Sequence, residues 1–207
     1  MEEKENNLKL WNEVEKTDPE YTSEADISGR KVTSIDAYIQ IKNATEQFGV
    51  YGEKWGLKDT SIEFKEFGDT TLCIYKATFY APQIEFPIFN AIKVTYRTRG
   101  EQGYLKVDED FAKKIETNTI TKALSKLGFN TDVFMGKFED AMYVKEIQTE
   151  FEQEKLEVYF EKLEATTTLK ELEKAFLALP PRIKINKDII ALKDELKKQY
   201  EDKKLSK

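Results

Sequence analysis

Residues 71–81 read TLCIYKATFYA and residues 86–99 read FPIFNAIKVTYRTR. Both are dense in β-branched and aromatic side chains, which fit a pleated, half-buried surface, so each is read as a strand. Pro82 closes the first, because proline cannot donate to a ladder. Along the second, strict alternation sends Ile88, Ile92, Val94 and Tyr96 to one face and Lys93, Thr95, Arg97 and Arg99 to the other. An earlier strand starts after Trp55, where Ile62 and Phe64 alternate with Glu63 and Lys65. Gly100 and Gly103 then bracket a turn, Asp108 caps a helix over about 109–127, and Gly128 stops it. Phe111, Ile115, Ile120, Ala123, Leu124 and Leu127 form the buried stripe of that helix. Lys113, Lys122 and Lys126 are left for solvent. The order is therefore strand, strand, strand, helix.

Working outward, 128–140 (GFNTDVFMGKFED) reads as a loop with aromatic anchors, and from about 146 the chain turns into amphipathic helices. The first is long, with Phe151, Leu156, Tyr159, Phe160 and Leu163 along it. A second covers 169–179 and ends at Pro180-Pro181, and a third covers 186–204. Upstream, a helix fits 34–48 with Ile35, Tyr38, Ile39, Ile41, Ala44, Thr45 and Phe48 as its apolar face and Gly49 as its stop. The polar stretch 22–31 reads as a loop, and Leu8, Leu10, Trp11 and Val14 mark a short helix before Asp18-Pro19. The class is α+β. A β-β-β-α core over 18–145 follows an N-terminal helical segment, 1–17, and precedes a C-terminal helical subdomain, 146–207.

Composition narrows the chemistry. The 207 residues include no histidine and a single cysteine, so an internal disulfide, a His/Cys zinc site and His-dependent catalysis are excluded. Cys73 sits in an apolar run with no His to activate it and reads as a buried structural thiol. No phosphate-cradling Gly-x4-Gly-Lys-Ser/Thr loop and no dinucleotide fingerprint occur, so no cofactor is expected. No apolar run approaches the roughly 20 residues that span a bilayer, and the acidic start MEEKENNLKL lacks a secretory signal; a cytoplasmic protein is expected.

The formal charge of −6 argues against nucleic acid until its distribution is seen. Residues 1–29 hold three Lys against nine acids, whereas residues 30–137 hold sixteen bases against fourteen acids. The middle is free to carry a local basic groove. Lys93, Arg97 and Arg99 are candidates from the strand, and Lys122 and Lys126, one helical turn apart, from the helix. Tyr96 and Tyr104 lie among them, and aromatic rings between bases are how sequence-neutral single-strand binders hold stacked bases. Basic residues on a solvated sheet face are also ordinary and bind nothing in many proteins. The acidic run Asp108-Glu109-Asp110 reads as a negative first helical turn favoured by the macrodipole rather than as a metal site.

Two blocks carry a family resemblance. The run GRKVTSIDAYIQIKNATEQFGVYGEKWG (29–56), with Asp36, Glu46, Phe48, Gly49, Gly52 and Trp55, resembles the early helix and turn of the Sak-type phage single-strand DNA-annealing proteins. Those are relatives of the eukaryotic Rad-fifty-two recombination mediators. The run TNTITKALSKLGFNTDVFMGKFED (117–140) resembles their second hallmark, a helix ending in Lys-Ala-Leu-x-x-x-Gly. The match covers about 18–140, with three strands between the blocks. It implies a ring or helical homo-oligomer that holds single-stranded DNA in an outer groove and anneals complements without nucleotide hydrolysis, in phage recombination or repair. By the same resemblance Lys122 takes the place of a groove-lining base, and Thr121 stands where the eukaryotic relatives often carry a second one. Lys113 falls at an outer DNA site, and Arg30 and Lys31 lie near the groove. A phage exonuclease or a single-strand-binding protein is an implied partner, and the helix over 149–165 is a candidate contact for it. Two other readings stay open from the residues alone: a protein-interaction or scaffold module, suited to the pI near 5.1, and a magnesium-dependent nuclease using Asp108 or Asp110.

Overall fold

The computed structural model describes residues 2–27, 29–98 and 103–205. Its chain divides into two compact units, Met1–Val144 and Lys145–Lys207.

The first unit is built on an antiparallel sheet in the order β3-β4-β5-β6, with β3 at Gly56–Phe67, β4 at Thr70–Ala81, β5 at Ile84–Arg97 and β6 at Leu105–Val107. The runs read as strands are strands, and β6 is an addition where only a turn was expected. Three residues are too short for a periodic signal, and β6 is fixed by its ladder to Thr95, Tyr96 and Arg97. On β4, Cys73, Tyr75, Ala77, Phe79 and Ala81 are buried in alternation beneath α3 (Phe111–Ser125), which buries Ile115, Thr119, Ile120, Ala123 and Leu124. Cys73 is fully enclosed, and burial pushes its thiol pKa up, as a structural thiol requires.

The stretch 22–31 expected as a loop is instead half of a hairpin. Here β1 (Thr22–Ile27) pairs antiparallel with β2 (Arg30–Ile35), and Thr22 faces Ile35. Its polar side chains hid the signal, because period-two hydrophobicity is weak in a strand exposed on both faces. The pairing also takes Ser34 and Ile35 out of the helix read over 34–48. Thus α2 runs Ala37–Phe48, and Asp36 caps it by accepting from the Tyr38 N–H at 2.8 Å. With that later start the buried stripe contains Gln40 and Ala44, while Tyr38, expected inside, is 73% exposed. Gly49 ends α2 at φ +100°, where a Cβ would come within 2.8 Å of Lys54. Trp55 secures the turn, wholly buried, with its indole N–H on the Gly49 carbonyl at 3.0 Å.

The N-terminal segment 1–17 belongs to this same unit. Helix α1 (Glu2–Val14) contributes Val14 to the core, and Trp11 lies against Gly128, whose φ is +102°. Just beyond α1, Asp132 accepts from the Thr17 N–H at 2.8 Å and the Tyr143 hydroxyl at 3.0 Å. The supposed loop 128–140 therefore holds a short helix, α4 (Thr131–Phe134), tied down by the buried polar bonds of Asp132, and a 3-10 turn at Lys137–Glu139 that buries Phe138.

In the second unit, α5 begins at Ala141, earlier than the expected change near 146, so the unit boundary falls inside a continuous helix, Ala141–Glu164. With α6 (Leu169–Leu177), α7 (Pro181–Lys184) and α8 (Lys187–Leu205) it surrounds Leu163, Leu172, Leu179, Ile189 and Leu196. Thr168 caps α6 by accepting from the Glu171 N–H at 3.2 Å. Among the described residues no helix is long and apolar enough to cross a membrane.

Candidate nucleic-acid interface

Helix α3 has two different flanks. On one, Thr117, Asn118 and Thr121 line a groove of about 500 Å³ whose other walls are β2 (Val32–Ile35) and the segment from Val133 to Glu139. Its lining combines the hydroxyl- and amide-bearing Thr33, Ser34, Thr117, Asn118 and Thr121 with Phe134 and Phe138. Among the described residues no Lys or Arg lines the groove, and its one acid is Glu139. Exposed bases adjoin its wall residues along the chain or along α3. Lys113 lies four residues before Thr117 and eight before Thr121, so the three share a row along α3, and Lys113 is exposed with no ion pair among the described residues. Lys31 is next to Val32, 80% exposed, and bonded across the hairpin to Glu24 at 3.0 Å. The side chain of its neighbour Arg30 is outside what the structure describes.

The other flank turns toward β5. Among the described residues no strand pairs with the outer edge of Ile84–Lys93, since β6 reaches only Thr95–Arg97. The Lys122 ammonium donates to the Phe89 carbonyl on that open edge at 2.7 Å. One turn later Lys126 sits 5.6 Å from the centre of the Phe86 ring. The two lysines expected to line a groove do stay together, but they cap a sheet edge, and Thr121 is the residue that faces the concavity.

The strand ridge is not continuous. Leu72 pairs with Lys93 but Thr71 pairs with Thr95, so β5 carries one extra residue between them. A bulge of this kind breaks two-residue counting, and alternation from Lys93 cannot be carried through to Arg97. Lys93 is exposed and has no ion pair among the described residues. Arg97 is engaged instead, with Nε on the Asp69 carboxylate at 3.0 Å and Nη1 on the Gly103 carbonyl at 2.9 Å. Tyr96 is half-buried opposite Lys106, and Arg99 lies outside the described residues.

The sequence reading did not single out Lys137, Thr33, Ser34, Thr117 or Asn118, and it marked Thr121 only as a departure from a second base. Lys137 is exposed between two groove-lining residues, Gly136 and Phe138, with its ammonium 5.6 Å from the Tyr143 ring centre. The available signal was TNTIT (117–121), an unusual density of small polar residues within a helix whose remaining faces are apolar or basic.

The acidic run is accounted for by local bonding. Asp108 accepts from Lys114 at 2.7 and 2.8 Å and from the Asp110 N–H at 3.2 Å. Its hydrogen bond with the Lys114 ammonium holds the carboxyl below its ordinary pKa and raises that of Lys114. Asp110, at the N-cap position of α3, makes no side-chain cap bond, and Asp108, expected as the cap, bonds the Asp110 N–H two residues along. Among the described residues no group of three or more acids or cysteines is arranged to hold a metal ion. No protein-family model matches this chain, and no curated protein matches it either.

Proposed function

We propose that the first unit is a non-hydrolytic single-stranded DNA-binding and annealing module of the Sak type, working as a homo-oligomer. The observation that carries this reading is the groove along α3, walled by the β1–β2 hairpin and the 133–139 segment. Its walls offer hydroxyl and amide groups, two Phe residues and one acid, Glu139, and the exposed Lys31, Lys113 and Lys137 adjoin wall residues along the chain or along α3. Such a combination suits a strand whose phosphates meet those lysines while its sugars and bases contact a sequence-neutral wall. The bond from Lys31 to Glu24 is exposed and worth little, so it yields readily to a phosphate.

Assembly is supported by two open sheet edges on one molecule. Strand β3 leaves Ile62, Phe64 and Phe67 between 50 and 60% exposed, and on the far side Phe89, Leu105 and Val107 are between 54 and 56% exposed. Unlike edges that are both apolar favour head-to-tail contacts, which close into rings or extend as helices.

The lining, which holds no base and one acid, also favours a second reading, a groove for a peptide segment in a scaffold protein. Fluorescence-detected annealing of complementary oligonucleotides, with anisotropy of one labelled strand across a salt series, separates the two. The annealing reading expects binding that weakens with salt and faster pairing of complements. Absence of strand binding at low salt would sink it. Magnesium-dependent cleavage of the same strand would turn the reading to a nuclease.

A further inference from the structure

The outer edge of β5 is covered by side chains where a strand would otherwise lie. Residues two apart on a strand send their N–H and carbonyl to the same edge. The Phe89 carbonyl points outward to the Lys122 ammonium at 2.7 Å, so Pro87 and Ala91 share that edge with it. Pro87 has no N–H to offer. The Ala91 N–H donates to Asn90 Oδ1 at 2.9 Å, and Asn90 Nδ2 donates in turn to the Thr119 hydroxyl on α3 at 3.3 Å. Each of these three outward residues therefore lacks, or has already filled, a group that a pairing strand needs. The opposite edge of the sheet differs. Among the described residues no side chain bonds a backbone group of residues 62–67 on β3, where Ile62, Phe64 and Phe67 are largely exposed. Ile62, Phe64 and Glu66 pair with Tyr75, Cys73 and Thr71, so all three lie on the face that α3 covers further in. Glu66 is exposed, with no ion pair among the described residues.

We propose that Lys122 and Asn90 guard the β5 edge against strand addition, and that copies join when β3 of a second copy displaces them. Each guard bond has to be exchanged for one from the incoming strand, so the guards set the concentration at which copies pair. Charge and apolar surface select β3 as the occupant. Continuing the sheet with the α3 helices on one side brings Glu66 of the incoming strand to the face from which Lys122 is displaced, where the carboxylate receives the freed ammonium. The same placement covers Ile62 and Phe64, which share that face. This gate concerns the homo-oligomer of the reading above, on which it rests, and not strand binding.

The test is sedimentation velocity of the full-length chain over a concentration series, without oligonucleotide. Lys122→Met keeps the aliphatic stem and removes the ammonium. It is expected to self-associate at about fivefold lower concentration than the parent, the equivalent of one net hydrogen bond no longer in competition. The exposed pairing with Glu66 that it gives up counts for less. Asn90→Ala, which frees the Ala91 N–H, is expected to shift association the same way. Lys42→Met, the same change of charge at an exposed site on α2, is expected to match the parent. Adding Ile62→Lys to Lys122→Met puts a charge on the β3 edge and is expected to return association to the parent level, with circular dichroism of all variants unchanged. Association of Lys122→Met and Asn90→Ala no tighter than that of the parent would overturn the guard. A gain that Lys42→Met shares, or that Ile62→Lys leaves intact, would overturn it too. Because no strand is present, a failed annealing assay leaves either outcome standing.

Discussion

The two flanks of α3 divide what sequence-neutral strand binding requires. The flank of Lys113, Thr117 and Thr121 has the concavity and little charge inside it, while the flank of Lys122 and Lys126 has charge and no concavity. A base counted along a helix says which side of the helix it occupies, not what that side meets. Here Lys122 meets a carbonyl on an unpaired strand edge, so part of its charge serves the fold. The residues that shape the groove carry one charge, the acid Glu139, and bases adjoin them along the chain.

The most severe way to break this comparison is to unseat the helix that carries both flanks. Gly128→Ala puts a Cβ at φ +102° within 2.8 Å of the Trp11 ring and 2.9 Å of the Trp11 Cα. A loss of about 3 kcal/mol in urea unfolding is expected, since backbone cannot give way as a flexible side chain would. Thr121→Lys sharpens the comparison by adding charge where the concavity lies. It should tighten strand binding about fivefold at moderate salt and steepen the salt dependence by about 0.7, the value of one added phosphate contact. An unchanged slope would remove the strand from this groove.

Lys113→Ala should lower the salt slope by about 0.7, whereas Lys122→Ala should lower it by clearly less and cost about 0.5–1 kcal/mol of stability through the lost bond to Phe89. Equal slopes from the two variants would erase the distinction between the flanks. The smallest effect concerns pH. Because the folded Asp108 pKa is lowered, the bond to Lys114 contributes above the ordinary carboxylate range, near about 4, and is lost as pH falls through the lowered value. Thermal melts should show a modest decline on acidification below that range, absent in Asp108→Asn.

The sequence made the sheet legible where burial repeats every second residue. Along β4 the alternation of Cys73, Tyr75, Ala77 and Phe79 with less buried neighbours is a direct imprint of one covered face. The hairpin β1–β2 was illegible because most of its side chains are polar, and β6 because three residues hold no period. The site was harder still. That Lys122 and Lys126 share one side of α3 follows from spacing, but that Thr121 faces the groove follows from where β2 and the 133–139 segment pack. Only tertiary structure supplies that. The extra residue on β5 between Lys93 and Thr95 had no local signature either, and it undid the count from Lys93 to Arg97.

The central claim, that a single DNA strand is held in the groove along α3, is tested most directly by the salt dependence of oligonucleotide binding measured on the parent chain and on Thr121→Lys side by side. The account predicts measurable low-salt binding by the parent that falls log-linearly with salt, and a line for the variant that is steeper and higher. No binding by either protein, or two superimposed lines, would contradict it.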